Sequence, residues 1–465
     1  MTHLAPAGTR STWLFYGWVI VAMAFVTLWI SNGMTLSGLT VFDNELLAAL
    51  NQPESIGPIR QMAEEGGLRG WAAQQILTDE GEISRAAYKF RDTLTLLSAG
   101  LMGLLAGALA DRIGIRPLMV FGLLLLSGCN LMYGRVDTIW EMYGIHFLFG
   151  IVLTTAGLIV NVMLVSRWFV RLRGVAIGIT LAGTSLGNAL LPTINTLLIQ
   201  SEGWRAAFGW IAILPVLLIP PLLLLVRDKP ADKGLAPLGG VQTRAGRASS
   251  DDLPGMTYAE ALRDRNLWLI ALIAFCTFYA ILGAASNLFL YLNGRGFTPQ
   301  TAAAGIGLVF TLGLVGKIGS GVLADLIGKK RVFILGLAVM FGGSLLILNP
   351  GAIWIGLVLF GFGWGGLYTL LQLLCADIFG LKALGKIIGT ITILDAAGGG
   401  LGPFLTGYFY DLSGNYELSF AVIAGLVGAA LMAGLLIRIP ELPPGASAED
   451  GQAGERDRSP AEAAQ

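Results

Sequence analysis

Hydrophobic residues in this chain come in long unbroken blocks, and that feature constrains its fold most. The first block runs from Trp13 to about Phe42. Others follow at about 91–110, 117–136, 138–166, 174–200 and 205–226, and a second group at about 267–291, 300–324, 331–349, 351–378, 386–410 and 417–438. A bilayer core of roughly 30 Å is crossed by about 20 helical residues. Inside lipid each such segment must satisfy its own backbone hydrogen bonds, which favours helices. The reading is an all-α membrane protein of twelve transmembrane helices. Only 13% of the 465 residues are charged, against roughly 25% in soluble domains. The first block exceeds the 7–15 apolar residues of a signal-peptide core, so it reads as an uncleaved span.

The two groups of six divide the chain. Residues 1–226 form an N-terminal bundle, 227–266 a polar linker with a short amphipathic helix at Tyr258–Asp264, and 267–438 a C-terminal bundle. Residues 439–465, dominated by Pro, Ala, Glu and Gly, read as a disordered tail. Residues 43–90 are a polar insert between spans 1 and 2, read as a solvated excursion with one or two short helices, or else a lid or docking surface. Loop charge sets orientation. One set of short loops holds Arg112, Arg116, Arg167, Arg171, Arg173, Lys329, Lys330, Arg331, Lys382 and Lys386; the other holds Arg135, Arg205 and Arg295. Both termini are therefore expected in the cytoplasm, with the protein in the inner membrane and the 43–90 insert outside.

The halves repeat each other. Gly-Ala-Leu-Ala-Asp-Arg-Ile-Gly-Ile-Arg at 107–116 returns as Gly-Val-Leu-Ala-Asp-Leu-Ile-Gly-Lys-Lys at 321–330, an offset of 325 − 111 = 214. Gly174, Gly178, Gly187 and Pro192 return as Gly385, Gly389, Gly398 and Pro403, each at 211. Glycines at 107 and 114 permit close packing and a tight turn. Asp111 can meet a helix N-terminus or a loop arginine. Candidate gating residues are thus Gly107, Asp111, Arg112, Gly114, Asp325 in the second copy, and Arg167 after span 4.

The 107–116 segment resembles the loop 2–3 signature of the major facilitator superfamily, G-x-L-A-D-R-x-G-R/K-R. Within it the chain is similar to the monocarboxylate porters and oxalate/formate antiporters. The likeness is carried by Phe15-Tyr16-Gly17-Trp18-Val19-Ile20-Val21, by Ser166-Arg167-Trp168-Phe169-Val170-Arg171-Leu172-Arg173-Gly174, by Leu290-Tyr291-Leu292-Asn293-Gly294-Arg295-Gly296-Phe297, and by Gly407-Tyr408-Phe409-Tyr410-Asp411-Leu412-Ser413-Gly414. It covers the chain outside the insert and both tails. The resemblance implies two pseudo-symmetric six-helix bundles and a monomeric transport unit. It also implies alternating-access movement of a small organic anion, proton-coupled or by exchange. Its substrate anchor is a cation in span 8, which falls on Lys317. The acid that many members carry one turn earlier is here Gly313, so their coupling mechanism does not transfer directly.

Asp395 is a second deep charge, in span 11. A charge near the bilayer centre costs at least about 2.5–3.5 kcal/mol and is seldom idle. At the repeat offsets Lys317 corresponds to Gly103 and Asp395 to Thr184. The shared fold needs neither charge, so both are candidates for substrate binding or coupling, with a mutual ion pair as the structural alternative. By resemblance spans 1, 4, 7 and 10 face the path, which adds Asn32, Thr35, Asn161, Tyr279, Asn287, Tyr368 and Gln372. No HExxH motif or Cys/His cluster is present, and histidine is too scarce in the apolar runs to serve as a base, so neither an enzyme nor a metal or cofactor site is expected, and zero net charge gives no nucleic-acid partner. His146 reads as a packed histidine. Two alternatives stay open: efflux of drug-like or neutral solutes, though the Gly-Pro pair sits in span 11 (Gly402-Pro403) rather than span 5, and a transport-inactive sensor.

Overall fold

The computed structural model describes residues 15–239, 255–380 and 382–438; the side chains at 104, 106–108, 111, 325 and 385 are outside the description. The expected tail at 439–465 and most of the linker's centre also fall outside it. The first bundle opens with α1 (Gly17–Thr35), a 3-10 turn at Ser37–Phe42 and α2 (Asp43–Leu50). Short helices α3 (Pro53–Glu65) and α4 (Gly67–Gln74) follow. Then come α5 (Arg85–Ile113), α6 (Ile115–Tyr133), α7 (Ile139–Thr155), α8 (Leu158–Trp168), α9 (Arg173–Glu202) and α10 (Trp204–Leu225). After α11 (Tyr258–Arg263) the second bundle comprises α12 (Arg265–Gly294), α13 (Pro299–Ile327), α14 (Lys329–Ile347), α15 (Ile353–Gly365), α16 (Leu367–Phe379), α17 (Leu384–Ser413) and α18 (Glu417–Leu436).

Eleven helical stretches among the described residues are long and apolar enough to cross a bilayer, counting α7–α8 and α15–α16 as one stretch each. The twelfth crossing helix is α5. Its 29 residues reach about 43 Å, and Arg85, Lys89, Arg91 and Asp92 crowd its first turns. It therefore begins inside the segment that reads as a polar insert. The insert itself is folded: Ile56, Ile59, Ala73, Ile76 and Ile83 are buried. Arg60 Nε donates to the Gly81 carbonyl at 2.8 Å and Ile83 N to Asn51 Oδ1 at 2.9 Å. The face carrying α3 and α4 is called the insert face below, and the opposite one the loop face.

Glycine sets the helix spacing. A Cβ at Gly183 or Gly187 of α9 would overlap the carbonyl oxygens of Phe25 and Trp29 in α1, and one at Gly398 of α17 that of Phe275 in α12. Only hydrogen lets these backbones touch, the usual route to association without a hydrophobic drive. The repeated loop signature ends at Gly114 (φ 97°) and Gly328 (φ 91°), each turning the chain between two helices in a conformation that suits glycine.

Two spans that read as continuous are broken. The fourth is interrupted between α7 and α8 at Ala156–Gly157, and the tenth between α15 and α16 at Gly366. Broken backbone at this depth must be satisfied by protein groups. Ser31 Oγ and Asn161 Nδ2 both donate to the Ala156 carbonyl at 3.0 Å, and Asn161 also donates to Gly157 O at 2.8 Å. The linker ends are stitched to matching places: Val170 N and Arg171 N donate to Leu238 O (3.0 and 2.8 Å), and Met256 N to Phe379 O (2.8 Å). The short linker helix is present as α11, closed by a Thr257–Glu260 capping box.

Candidate functional site

Lys317 lies in the middle of α13, which glycine holds hard against α15. A Cβ at Gly316 would overlap the Phe362 carbonyl oxygen, and one at Gly365 that of Gly313. The lysine is half-buried, and no described residue forms an ion pair with it. Asp395 lies on α17 one turn before Gly398 and Gly399, which dock on Phe275 and Phe278 of α12. Its residue is 9% exposed, and it too has no described ion pair. Neither polar head is fully enclosed without a partner. The possible Lys317–Asp395 pair is not formed in this conformation. Two charges, neither with a counter-ion among the described residues, thus lie within α13 and α17, with Tyr368 beside Asp395 and near Gln372 and Thr392.

The other path candidates separate into two groups. Tyr368 is exposed, and Gln372 and Asn32 are half-buried. The rest are tied into packing. Thr35 Oγ1 donates to the Ser31 carbonyl at 2.7 Å, and Asn161 holds the α7–α8 break. Asn287 Nδ2 donates to Gly283 O (3.0 Å) and Pro403 O (3.4 Å), and Tyr416 donates to its Oδ1 at 3.4 Å. Tyr279 is buried with its hydroxyl unpartnered.

On the loop face, the side chains of Asp111 and Asp325 lie outside the described residues, as does that of position 107. Arg112 is exposed and Arg167 half-buried at the last turn of α8. Asp228 accepts from Ile115 N (2.9 Å) and Arg116 N (2.8 Å), capping α6 beside Gly114. In the second bundle Lys329 Nζ bonds both oxygens of Asp377 at 2.8 Å. A cavity of about 410 Å³ among α13–α16 is lined by apolar residues such as Leu323, Val332 and Leu370, with no charged group among the described lining residues.

Sequence reasoning missed a charge cluster at the insert-face end of the first bundle. Asp43, Lys89 and Arg91 have side chains 0% exposed, and Asp43 pairs with both cations. Tyr88 donates to Asp43 Oδ1 at 3.0 Å. Asp92 lies 3.5 Å from Arg91 Nε and 3.8 Å from His146 Nδ1. His146 is packed as expected, 2.8 Å from both Thr95 Oγ1 and Tyr133 OH. The available signal was a dense charge run, Lys89-Phe90-Arg91-Asp92, abutting one apolar block while a lone acid closes the preceding one.

Every described hydrogen bond between the two bundles lies between Arg85 and Thr93 of α5. Arg85 N and Ala86 N donate to the Asp411 carboxylate (2.8 and 2.7 Å), Lys89 Nζ donates to the Ser286 carbonyl, Ser286 Oγ to Asp92, and Thr93 Oγ1 to the Gly400 carbonyl. Beyond Thr93 the corresponding α5 positions, Leu97 and Leu101, are exposed, as are Ala396 and Ile393 before Gly400 on α17. The bundles meet at the insert face and part toward the loop face.

A family model described as Major Facilitator Superfamily matches residues 22–394 and 306–463. The sialic acid transporter NanX of Escherichia coli is 25% identical over 364 residues, covering 74% of this chain and 82% of its own. Monocarboxylate transporter 13 of Bos taurus is 26% identical over 435 residues, covering 91% and 89%. Among solved structures, a bacterial homologue of the human lysosomal transporter Spinster, described as inward-facing and unoccupied, aligns with a TM-score of 0.61. That alignment is at 14% identity and covers 92% of this chain and 95% of the other. It bears on the fold alone.

Proposed function

The chain belongs to the major facilitator superfamily of transporters, and on that premise we propose that it carries a small organic anion across the cell membrane by alternating access. The observation that carries this reading is Lys317, a half-buried cation on a rigid helix with no counter-ion among the described residues. An ammonium held away from bulk water attracts a carboxylate far more strongly than one in solution. The named relatives support the class: a monocarboxylate and sialic acid share a carboxylate.

Asp395 supplies the coupling in this proposal. With Asp395 ionised and Lys317 charged, the empty interior carries one charge of each sign. An incoming anion makes it negative, and a proton on Asp395 restores neutrality, so anion and proton travel together. Tyr368 and Gln372 orient the substrate beside Asp395. The excess of Lys and Arg in the loop-face connections supports cytoplasmic termini, with residues 1–226 and 267–438 as the moving bundles.

Uptake into proteoliposomes tests the class directly. A panel of labelled carboxylates, each beside its neutral amide, is presented with and without an inward proton gradient. Saturable uptake of a carboxylate, raised by the gradient and absent for the amide, is expected. Uptake of neutral solutes alone would replace the anion reading.

A further inference from the structure

We propose that the first three turns of α5 form a two-point latch that closes the insert face, and that its release is the step by which the path opens there. The inference stands on geometry separate from Lys317 and Asp395, and it does not depend on what is carried.

Two kinds of bond make the latch. At its outer end Asp411, from the second bundle, accepts the backbone N–H groups of Arg85 and Ala86. Those are among the first N–H groups of α5, which no intrahelical carbonyl can satisfy. One turn deeper, Ser286 of α12 bonds in both directions: its carbonyl takes the Lys89 ammonium and its hydroxyl donates to Asp92. Phe90 and Phe404 close the gap between α5 and α17, ring centroids 5.9 Å apart.

The cluster behind Ser286 makes the latch selective for the closed geometry. Asp43 and Asp92 against Lys89 and Arg91 sum to zero, with His146 held between Thr95 and Tyr133. Inside the first bundle Lys89 keeps Asp43, and Asp92 keeps Arg91 and His146; each finds a further partner only across the interface. When the bundles rock apart, Ser286 leaves both, and water must replace it. Asp92, whose side chain is 19% exposed, is the group water reaches first. Asymmetry marks this as a built device. At the repeat offsets Arg85 corresponds to Pro299, which has no N–H, and Asp411 to Gln200, so the pseudo-symmetric α9–α13 contact lacks this ionic closure.

The test reads exposure through the latch. Ala396 lies one turn past Gly400 on the α5-facing stripe of α17. A cysteine there is challenged with a membrane-impermeant thiol reagent from the insert face, which is identified independently by a cysteine at the exposed Gln61. Removing a hydrogen bond to a charged group shifts such an equilibrium by about tenfold or more. Ser286→Ala is therefore expected to raise insert-face labelling of Ala396→Cys about that much and to lower loop-face labelling. Asp411→Asn, which keeps the shape but leaves one acceptor oxygen and sets an NH2 donor against the other backbone N–H, is expected to move both rates the same way. Insert-face labelling at the parental rate in Ser286→Ala, with loop-face labelling intact, overturns the latch.

Discussion

A single buried acid shows how much one side chain can decide in this protein. Asp43 is the common partner of Lys89 and Arg91 where no water reaches any of the three. Breaking a buried ionic group by removing one partner costs about 3–5 kcal/mol, because the other charges stay buried. Asp43→Asn is expected to lower stability by about that amount, read as an earlier thermal unfolding midpoint in detergent, while Asp79→Asn in the insert leaves it unchanged. Asp395 has the opposite character, since it has no ionic partner to abandon. Asp395→Asn is expected to fold normally and to keep anion exchange, but to lose the stimulation of uptake by a proton gradient. Proton-gradient uptake at the parental ratio in that variant would move the coupling elsewhere. Lys317 and Asp395 were legible in the sequence because each is a charge in an apolar run that the repeat does not need. Asp43 was not, because its importance lies in a pairing between helices, and a polar stretch beside a span reads as solvated.

Among helices, the glycines of the repeat do different work at different depths. Gly187 touches backbone across the α1–α9 contact, whereas Gly174 and Gly178 face open space. Overpacking a tight contact costs about 1–3 kcal/mol, and a backbone carbonyl cannot swing aside as a side chain can. Gly187→Ala is expected to lower the unfolding midpoint, while Gly178→Ala leaves it level or higher through helix propensity; equal behaviour of the two would contradict the packing account. The repeat also revealed the turns at Gly114 and Gly328, since a glycine recurring between two apolar runs marks a residue that must reverse the chain. The short helix α11 was visible as an amphipathic segment at Tyr258–Asp264, but its capping box was not singled out. The breaks at Ala156–Gly157 and Gly366 were hidden. Hydropathy runs on through them, and at the first the Ala156 carbonyl is taken up by Ser31 of α1 and Asn161 of α8, a pairing that local sequence does not display.

In the proposed cycle, the insert-face bonds between bundles and the parted α5 and α17 stripes make this conformation one end of a rocking motion. Orientation has a simple check: a cysteine at Gln61 is expected to react with an impermeant reagent outside intact cells, and one at Ala236 only after the membrane is opened. Reversed labelling would invert the assignment of faces and leave the bundles as they are. The central claim is that an unpaired cation in α13 selects an anionic substrate. Its most direct measurement is exchange of a labelled carboxylate, one that the wild-type protein takes up, in proteoliposomes holding Lys317→Gln. Losing a charge-assisted bond of about 1.5–3 kcal/mol lowers transport efficiency about ten- to a hundredfold, and that loss is expected with the protein's unfolding midpoint unchanged. Exchange at the wild-type rate in Lys317→Gln would contradict the claim.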